Sequence, residues 1–425
     1  MGNVTIHDVA GDFPHLQRVD GIERYCYRAL LLGGRTVVVP SGDEELSLLL
    51  RDYEEAGVKS SKVKVVEVPV NGTGLYGGVL SDSKSLRMVR GVVSKGSKID
   101  LFCASPAAEN FIRDAELDWD TTCTPRREIA DIWGRKDYLR KVSSSKGLSH
   151  LFPEHRVVNS GNGELGTALR KRCNAHGFVV KVPDAASSEG MVFLGPGEDL
   201  SNRDLSELNS SRLIVEEAYE HYPFSLVFEI SDMDIHLHCF SLQVLDGVPM
   251  GELVQMEDLK RGIPHRGNIV GSFGSDLGPL SWLIVKRAVE LTMPLMSVVQ
   301  NSGYRGKIGL DLLLTEYDDI FLLECNARTS NSMYTAGVHR SVVENFDSGV
   351  VVAMANVSVR KSIKDYSEAR ALLDDLFYHG NSTSGVLMYH TPLISLGLGK
   401  AGLIAIAPTF DQAVDLFHQA ELRLV

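Results

Sequence analysis

From residue 35 the chain alternates short, unbroken apolar runs with longer stretches in which apolar residues recur every three or four positions. RTVVVP is followed by DEELSLLLRDYEEAG, then by KVKVVEVPV, a second helical stretch, KIDLFCAS and the helical PAAENFIRDAEL. Unbroken apolar runs predict strands buried on both faces, and the periodic stretches predict helices crossing between them. Residues 1–125 therefore read as a small parallel sheet in a Rossmann-like unit. The unit contains a literal GxGxxG at Gly72, Gly74 and Gly77, behind a strand and ahead of a helix predicted to start near Ser81. Such glycines can hold a dinucleotide when a helix opens directly on them. Here Gly78 and further loop residues delay the helix, and no acidic residue ends the next strand at ribose distance. An ordinary turn is the expectation.

From about residue 126 the pattern changes. REIADIWGRKDYLRKV is helical and carries Arg135 and Lys136, LFPEHRVV leads into a new strand, and in HGFVVKVPDAASSEGMVFLG Lys181 ends a buried strand. The loop that follows holds Ala185, Ala186, Ser187, Ser188 and Gly190. Small residues let backbone N–H groups approach phosphate oxygens, and the lysine supplies a point charge; taken alone, the segment reads equally as a plain polar hairpin. RLIVEEAY is an apolar strand running into Glu216 and Glu217, an acidic pair able to receive an adenine amino group or ribose hydroxyls.

The stretch IGLDLLLTEYDDIFLLECNARTS, residues 308–330, places Asp311 in one apolar run and Glu324 and Asn326 in the next, with the turn-forming EYDD between them. Two antiparallel strands follow. Residues two apart on a strand share a face, so Glu324 and Asn326 project together and Asp311 meets them from the partner strand. All three offer hard oxygen ligands, the set that suits magnesium shared with substrate phosphates, with manganese as a substitute, and that does not suit zinc or copper. The alternative is a hairpin whose polar residues face solvent. The flanking FLL and the following ARTSNS, with a cation and several hydroxyl and amide groups, argue against it.

Composition sets outer limits. A chain of 425 residues is too long for one ordinary core and suggests two or three packed units. Hydrophobic residues at 44% and charged residues at 23% are those of a soluble globular protein. The net charge of -12 argues against a nucleic-acid binder while leaving room for a local basic pocket. The cysteines, Cys26, Cys103, Cys123, Cys173, Cys239 and Cys325, are scattered, with no CxxC pair and no signal peptide ahead of them. No apolar run is long enough to cross a bilayer, so a reducing cytoplasm is the expected location.

The series Lys136, Lys181 in VVKVPDAASSEGMVFL, Glu216 in LIVEEA, Asp311 in GLDLLL, and Glu324 with Asn326 in LLECNAR resembles the ATP-grasp superfamily, in which two α+β subdomains hold ATP between them. The resemblance covers residues 126–345. It implies an α/β Rossmann-like unit in front (1–125), an α+β core at 126–350 divided into a lid (126–215) and a metal-binding half (216–350), and an α/β tail (351–425). It also implies that Lys136 and Lys181 bind ATP phosphates, that Glu216 and its neighbours bind the adenosine, and that Asp311, Glu324 and Asn326 hold magnesium. More narrowly, this order of units, with a tail containing GVLMYHTPLISLGLGKAGLIAIAPTFDQAVDLF, resembles peptide ligases of the pheganomycin type.

Two departures stand out. A second ribose-holding acid is missing past the hinge, where YEHYPFS leaves Glu220 as a replacement unless the ribose is held differently. No arginine closely precedes the metal aspartate; Arg305 is the nearest, and Lys260, Arg261 and Arg266 in QMEDLKRGIPHRG are the candidates to neutralise a transferring phosphate. Arg328, two residues after Asn326, shares the face of the metal ligands and could grip an acyl phosphate or a substrate carboxylate through its planar fork, or form an ordinary ion pair. His236 and His238 alternate with apolar residues and share a face with Asp232 and Asp234. No cysteine or third histidine is placed on that face with them, so a polar cleft or solvent is favoured over zinc. LGLGKAG reads as a turn and TFDQAVDLFHQAEL as a packing helix.

The resemblance implies an ATP-dependent carboxylate–amine ligase acting on a small-molecule acid, an amino acid or peptide, and an amine. The other readings are an ATP-grasp kinase acting on a hydroxyl and a nucleotide-binding regulator without turnover. A homodimer fits the chain but is not specified by it.

Overall fold

The computed structural model describes residues 3–13, 21–34, 36–58, 63–70, 74–160, 165, 177–184, 190–195, 198, 208, 210–346, 349–389 and 392–425. The front of the chain builds a parallel sheet from β1 (Val4–Ile6), β2 (Thr36–Pro40), β3 (Lys64–Val68) and β4 (Ile99–Leu101), in the order β3-β2-β1-β4. The VTI and TVVVP strands are buried along their whole length. That is what central strands covered on both faces by crossover helices require.

The helix behind β3 corrects the expectation of a start near Ser81: it spans Gly74–Ser81, and a second helix, Ser83–Val93, follows. Its early start has a cause far away in sequence. The Asp8 carboxyl group accepts the Tyr76 N–H at 2.9 Å, capping the first turn, while its other oxygen accepts the Gly11 N–H at 3.0 Å and caps the short helix Val9–Asp12. Gly74 has φ +68°, and a Cβ there would lie 2.3 Å from Asp8 Oδ2. The Tyr76 amide, one that a pyrophosphate at this helix start would need, is thus already taken by Asp8, which weighs against dinucleotide binding. Gly72 lies outside the described residues.

The middle of the chain forms two antiparallel sheets. The smaller one pairs β5 (His155–Asn159), β6 (Phe178–Lys181), β7 (Met191–Leu194) and β8 (Arg212–Glu217) in the order β5-β8-β6-β7. It has its own small core around Phe178, Val180, Leu194, Leu213 and Val215. The larger sheet has eight strands, among them β9 (His221–Ile230), β10 (Ile235–Leu245), β11 (His265–Gly271), β12 (Gly306–Thr315) and β13 (Ile320–Asn326). It is completed by β14 (Val351–Ser358), β15 (Gly385–Tyr389) and β16 (Lys400–Ala407) in the order β13-β12-β9-β10-β11-β14-β16-β15. The tail from residue 351 therefore extends the core sheet, with β14 paired to β11 over Gly267–Gly271.

The helix Asn331–Val342 packs on β11 and against the 3-10 helix Ile22–Leu32 of the front unit. The approach is close enough to exclude a side chain: a Cβ on Gly337 would lie 2.1 Å from the Leu31 carbonyl oxygen. Gly337→Ala is expected to lower stability by about 1–3 kcal/mol, because neither backbone can yield without loss of packing. A thermal midpoint equal to that of the parent protein would show that the two elements part freely.

The C-terminal helix Phe410–Leu424 buries Ala413, Phe417, Ala420 and Leu424, as its periodicity predicts. The five described cysteines are unpaired. Among the described residues no helix is long and apolar enough to cross a membrane.

Candidate functional site

The hairpin β12-β13 places the oxygen ligands. Its turn closes where Thr315 N–H donates to the Asp319 carbonyl at 2.9 Å, with Asp318 at φ +65°. The resulting register sets Asp311 opposite Glu324 and Gly309 opposite Asn326. Asn326 Nδ2 donates to Asp311 Oδ2 at 2.8 Å, which leaves its own carbonyl oxygen to turn outward. The other oxygen, Oδ1, accepts from Ser225 Oγ at 2.7 Å and Gln243 Nε2 at 3.0 Å. Ser225 lies on β9 and Gln243 on β10, so four neighbouring strands converge on one carboxylate. Lys136 Nζ reaches Glu324 Oε2 at 2.8 Å.

The two carboxylates are shifted in opposite directions. Burial, then the neighbouring Glu324 charge, pushes Asp311 up to about 7. Burial would also raise Glu324, but the Lys136 ammonium outweighs it and holds Glu324 below its ordinary value. Like charges placed opposite each other on a sheet repel, and a shared proton or a shared cation relieves the repulsion. The donor set is oxygen only and fits magnesium.

Lys181, at the end of β6, is 7% exposed in its side chain and pairs with Glu216 at the end of β8, itself 1% exposed. The same carboxylate pairs with Arg140, also 1% exposed, whose Nη2 donates to the Leu323 carbonyl on β13 at 3.3 Å. Burial alone would raise Glu216; the guanidinium of Arg140 and the ammonium of Lys181 outweigh it and hold the group at about 2. Lys181 is pulled down, because burial outweighs its share of one anion between two cations. The small sheet, the helix Lys136–Ser145 and β13 thus meet at one buried triad. Lys136 N–H also donates to the Pro183 carbonyl at 2.9 Å, tying that helix to the loop after β6.

No protein-family model matches the sequence, and no curated protein does. Solved structures match it over nearly its whole length. The N5-carboxyaminoimidazole synthase of Aspergillus clavatus, in complex with ADP and 5-aminoimidazole ribonucleotide, aligns with 92% of this chain and 99% of its own at a TM-score of 0.54 and 13% identity. The phosphoribosylamine–glycine ligase of Thermotoga maritima aligns with 100% of this chain and 97% of its own, at 0.54 and 13%. The N5-carboxyaminoimidazole ribonucleotide synthetase of Thermus thermophilus aligns over 99% and 98%, at 0.54 and 15%. The fold is that of the ATP-grasp ligases. Within that fold the large sheet carries the oxygen cluster, and the small sheet and the parallel front sheet are separate from it.

The remaining candidates are placed unevenly about this ATP-grasp core. Ser187 and Ser188 lie outside the described residues; Gly190 is at φ +62° before β7, its carbonyl accepting Val182 N–H at 2.8 Å. The Glu217 carboxylate accepts from the Tyr219 hydroxyl, and Glu220 Oε1 accepts Met256 N–H at 3.2 Å. Glu216, expected beside the adenosine, has its carboxylate taken up by Lys181 and Arg140 instead. Lys260 leans toward the small sheet: a Cβ on Gly195, just after β7, would lie 2.9 Å from its Nζ. Arg261 pairs with Asp258. Arg266, expected near a transferring phosphate, is bonded to Glu421 and lies 5.6 Å over the Phe417 ring, so the C-terminal helix occupies it. Arg305 pairs with Asp232 at 2.6 Å. Arg328 lies over Phe13 at 6.0 Å, and its charge helps to hold Glu324 down.

His236 and His238 meet a third group that their spacing did not reveal. Glu229 lies 3.5 Å from His236 Nε2 and 3.4 Å from His238 Nδ1, because the β9-β10 register sets His236 opposite Glu229. Arg340 Nη1 donates to His238 Nε2 at 2.8 Å, which puts the His238 proton on Nδ1, facing Glu229. That tautomer has no lone pair to give a metal at Nδ1, and the adjoining Arg340 and Lys307 charges oppose a cation. Arg340, His238, Glu229 and His236 thus lie together as a polar cluster.

Proposed function

We propose that this protein is an ATP-dependent ligase that joins a carboxylate to an amine through an acyl phosphate, releasing ADP and phosphate. The observation that carries the reading is the cluster Asp311, Glu324 and Asn326, three oxygen donors on two adjacent strands with Lys136 on Glu324 and Lys181 close enough to lower it. The neighbouring folds named above are ligases and synthases, one of them in complex with ADP.

Phosphoryl transfer responds mainly to positioning and to positive charge around the transferring oxygens. Magnesium held by Asp311, Glu324 and Asn326 would absorb charge on the phosphate oxygens and align them. Lys136 and Lys181 would bind the phosphates, Lys260 would approach them from the lid hinge, and Glu217 and Glu220 would face the ribose. Arg328 has a planar fork suited to an acyl phosphate or to the substrate carboxylate. The narrower sequence resemblance favours an amino acid or peptide as the acid.

The test is ADP release across a panel of amino acids and small peptides, with mass spectrometry of the products. The proposal expects ADP release that needs both an acid and an amine, and an amide product. Release with a hydroxyl substrate and no amine would make the protein a kinase, and no release with any pair would leave nucleotide binding alone.

A further inference from the structure

We propose that Ser225 and Gln243 decide which cation the oxygen cluster accepts: by filling one oxygen of Asp311 completely they leave that carboxylate a single-oxygen ligand, which favours magnesium over calcium. What the cation serves rests on the ligase reading; the restriction itself rests on hydrogen-bond geometry.

The strand order brings three side chains to one point. On β9, Ser225 stands opposite Asp311 of β12 on one side and opposite Ser241 of β10 on the other. Gln243 lies two residues beyond Ser241, so it shares that face and reaches Asp311 across β9. Ser225 Oγ donates to Asp311 Oδ1 at 2.7 Å. Gln243 Nε2 donates to the same oxygen at 3.0 Å and to Ser225 Oγ at 2.8 Å. The three groups close a triangle in which the serine uses its one proton on the carboxylate and the carboxamide uses both of its N–H groups. Ser225 is 4% exposed, so water scarcely competes for these bonds.

An ionised carboxylate offers a pair of lone-pair sites on each oxygen. On Asp311 Oδ1 both are engaged, by Ser225 and by Gln243. Oδ2 bonds instead to Asn326 Nδ2 at 2.8 Å, so its partner is itself one of the three proposed ligands and yields to a cation when that carboxamide turns. Calcium takes more oxygens than magnesium, at longer distances, and often grips both oxygens of one carboxylate, whereas magnesium demands a near-ideal octahedron and is smaller. A carboxylate with one oxygen closed suits the smaller ion. Partners behind a metal ligand fix its orientation, and Ser225 and Gln243 act in that way, through Asp311, as positioning residues.

The experiment uses the full chain saturated with a non-hydrolysable ATP analogue and loaded with manganese, whose paramagnetic resonance reports the bound ion. Magnesium and, separately, calcium are titrated in to displace it, with the same analogue solution lacking protein as the blank. The parent is expected to need less magnesium than calcium for half-displacement. Ser225→Ala is expected to narrow that ratio about tenfold, and Ser225→Ala combined with Gln243→Leu to narrow it further. Ser225→Thr, which keeps the hydroxyl, should hold the parent ratio. A merely structural role would weaken both ions alike. Equal weakening, an unchanged ratio in Ser225→Ala, a Ser225→Thr variant as altered as Ser225→Ala, or a parent with no preference for magnesium overturns the inference. ADP release with acid and amine is read in parallel on the parent. A shifted ratio without ADP release keeps this inference and loses the ligase reading; ADP release with an unchanged ratio does the reverse.

Discussion

Glu324→Ala abolishes ADP release while the protein stays folded. The loss expected is on the order of a thousandfold or more, because on the proposed reading the substitution removes a cation ligand and with it charge stabilisation at the transferring phosphate. Stability should hardly change. The partner left behind, Lys136, is 11% exposed and can turn its ammonium toward water, and the removal also ends the repulsion with Asp311 that helps to raise that group to about 7. Two measurements separate the effects: steady-state ADP release for turnover, and the thermal midpoint with circular dichroism for the fold. Near-normal ligation by the variant would sink the role of Glu324 as a metal ligand, whereas a collapsed midpoint would show that its task is architectural.

The largest stability effect should come from Glu216→Gln, about 3–5 kcal/mol, since it leaves two buried cations without their common anion. The pH dependence follows in sign. Glu216 is held at about 2 in the folded protein, below its ordinary value. Its stabilisation is therefore complete above the unfolded value of about 4.3 and fades as pH falls from there through the folded value. Urea unfolding of parent and variant should differ fully at neutral pH, converge below about pH 4, and coincide near pH 2. A difference that stays constant across that range would mean that the carboxylate is not kept ionised by Arg140 and Lys181.

Much of the site was legible because strand geometry is local. Glu324 and Asn326 stand two apart, so one face follows from the pleat, and the EYDD turn brings Asp311 opposite. Ser225 and Gln243 were not legible. They reach Asp311 only because β9 and β10 lie beyond β12 in the sheet, an order set by long-range packing that alternation within a strand does not encode. Arg140 carried a partial signal: it stands one helical turn from Lys136 and donates to its carbonyl at 3.0 Å, so the two share a helix face. Its destination on Glu216 is tertiary. Glu229 was hidden in the same way, since its pairing with His236 depends on the β9-β10 register. In the front domain the alternating pattern predicted the parallel sheet, but the start of the helix at Gly74 depends on Asp8, distant in sequence, arriving to cap it.

The three strands contributed by the tail have a consequence for anyone dissecting the protein. A fragment ending near residue 350 would keep every oxygen and lysine of the proposed chemistry and lose β14 from the flank of β11. The unpaired amides and carbonyls of Gly267–Gly271 would then offer a template to the next molecule, and such a fragment should precipitate by edge-to-edge association before its catalysis could be assayed.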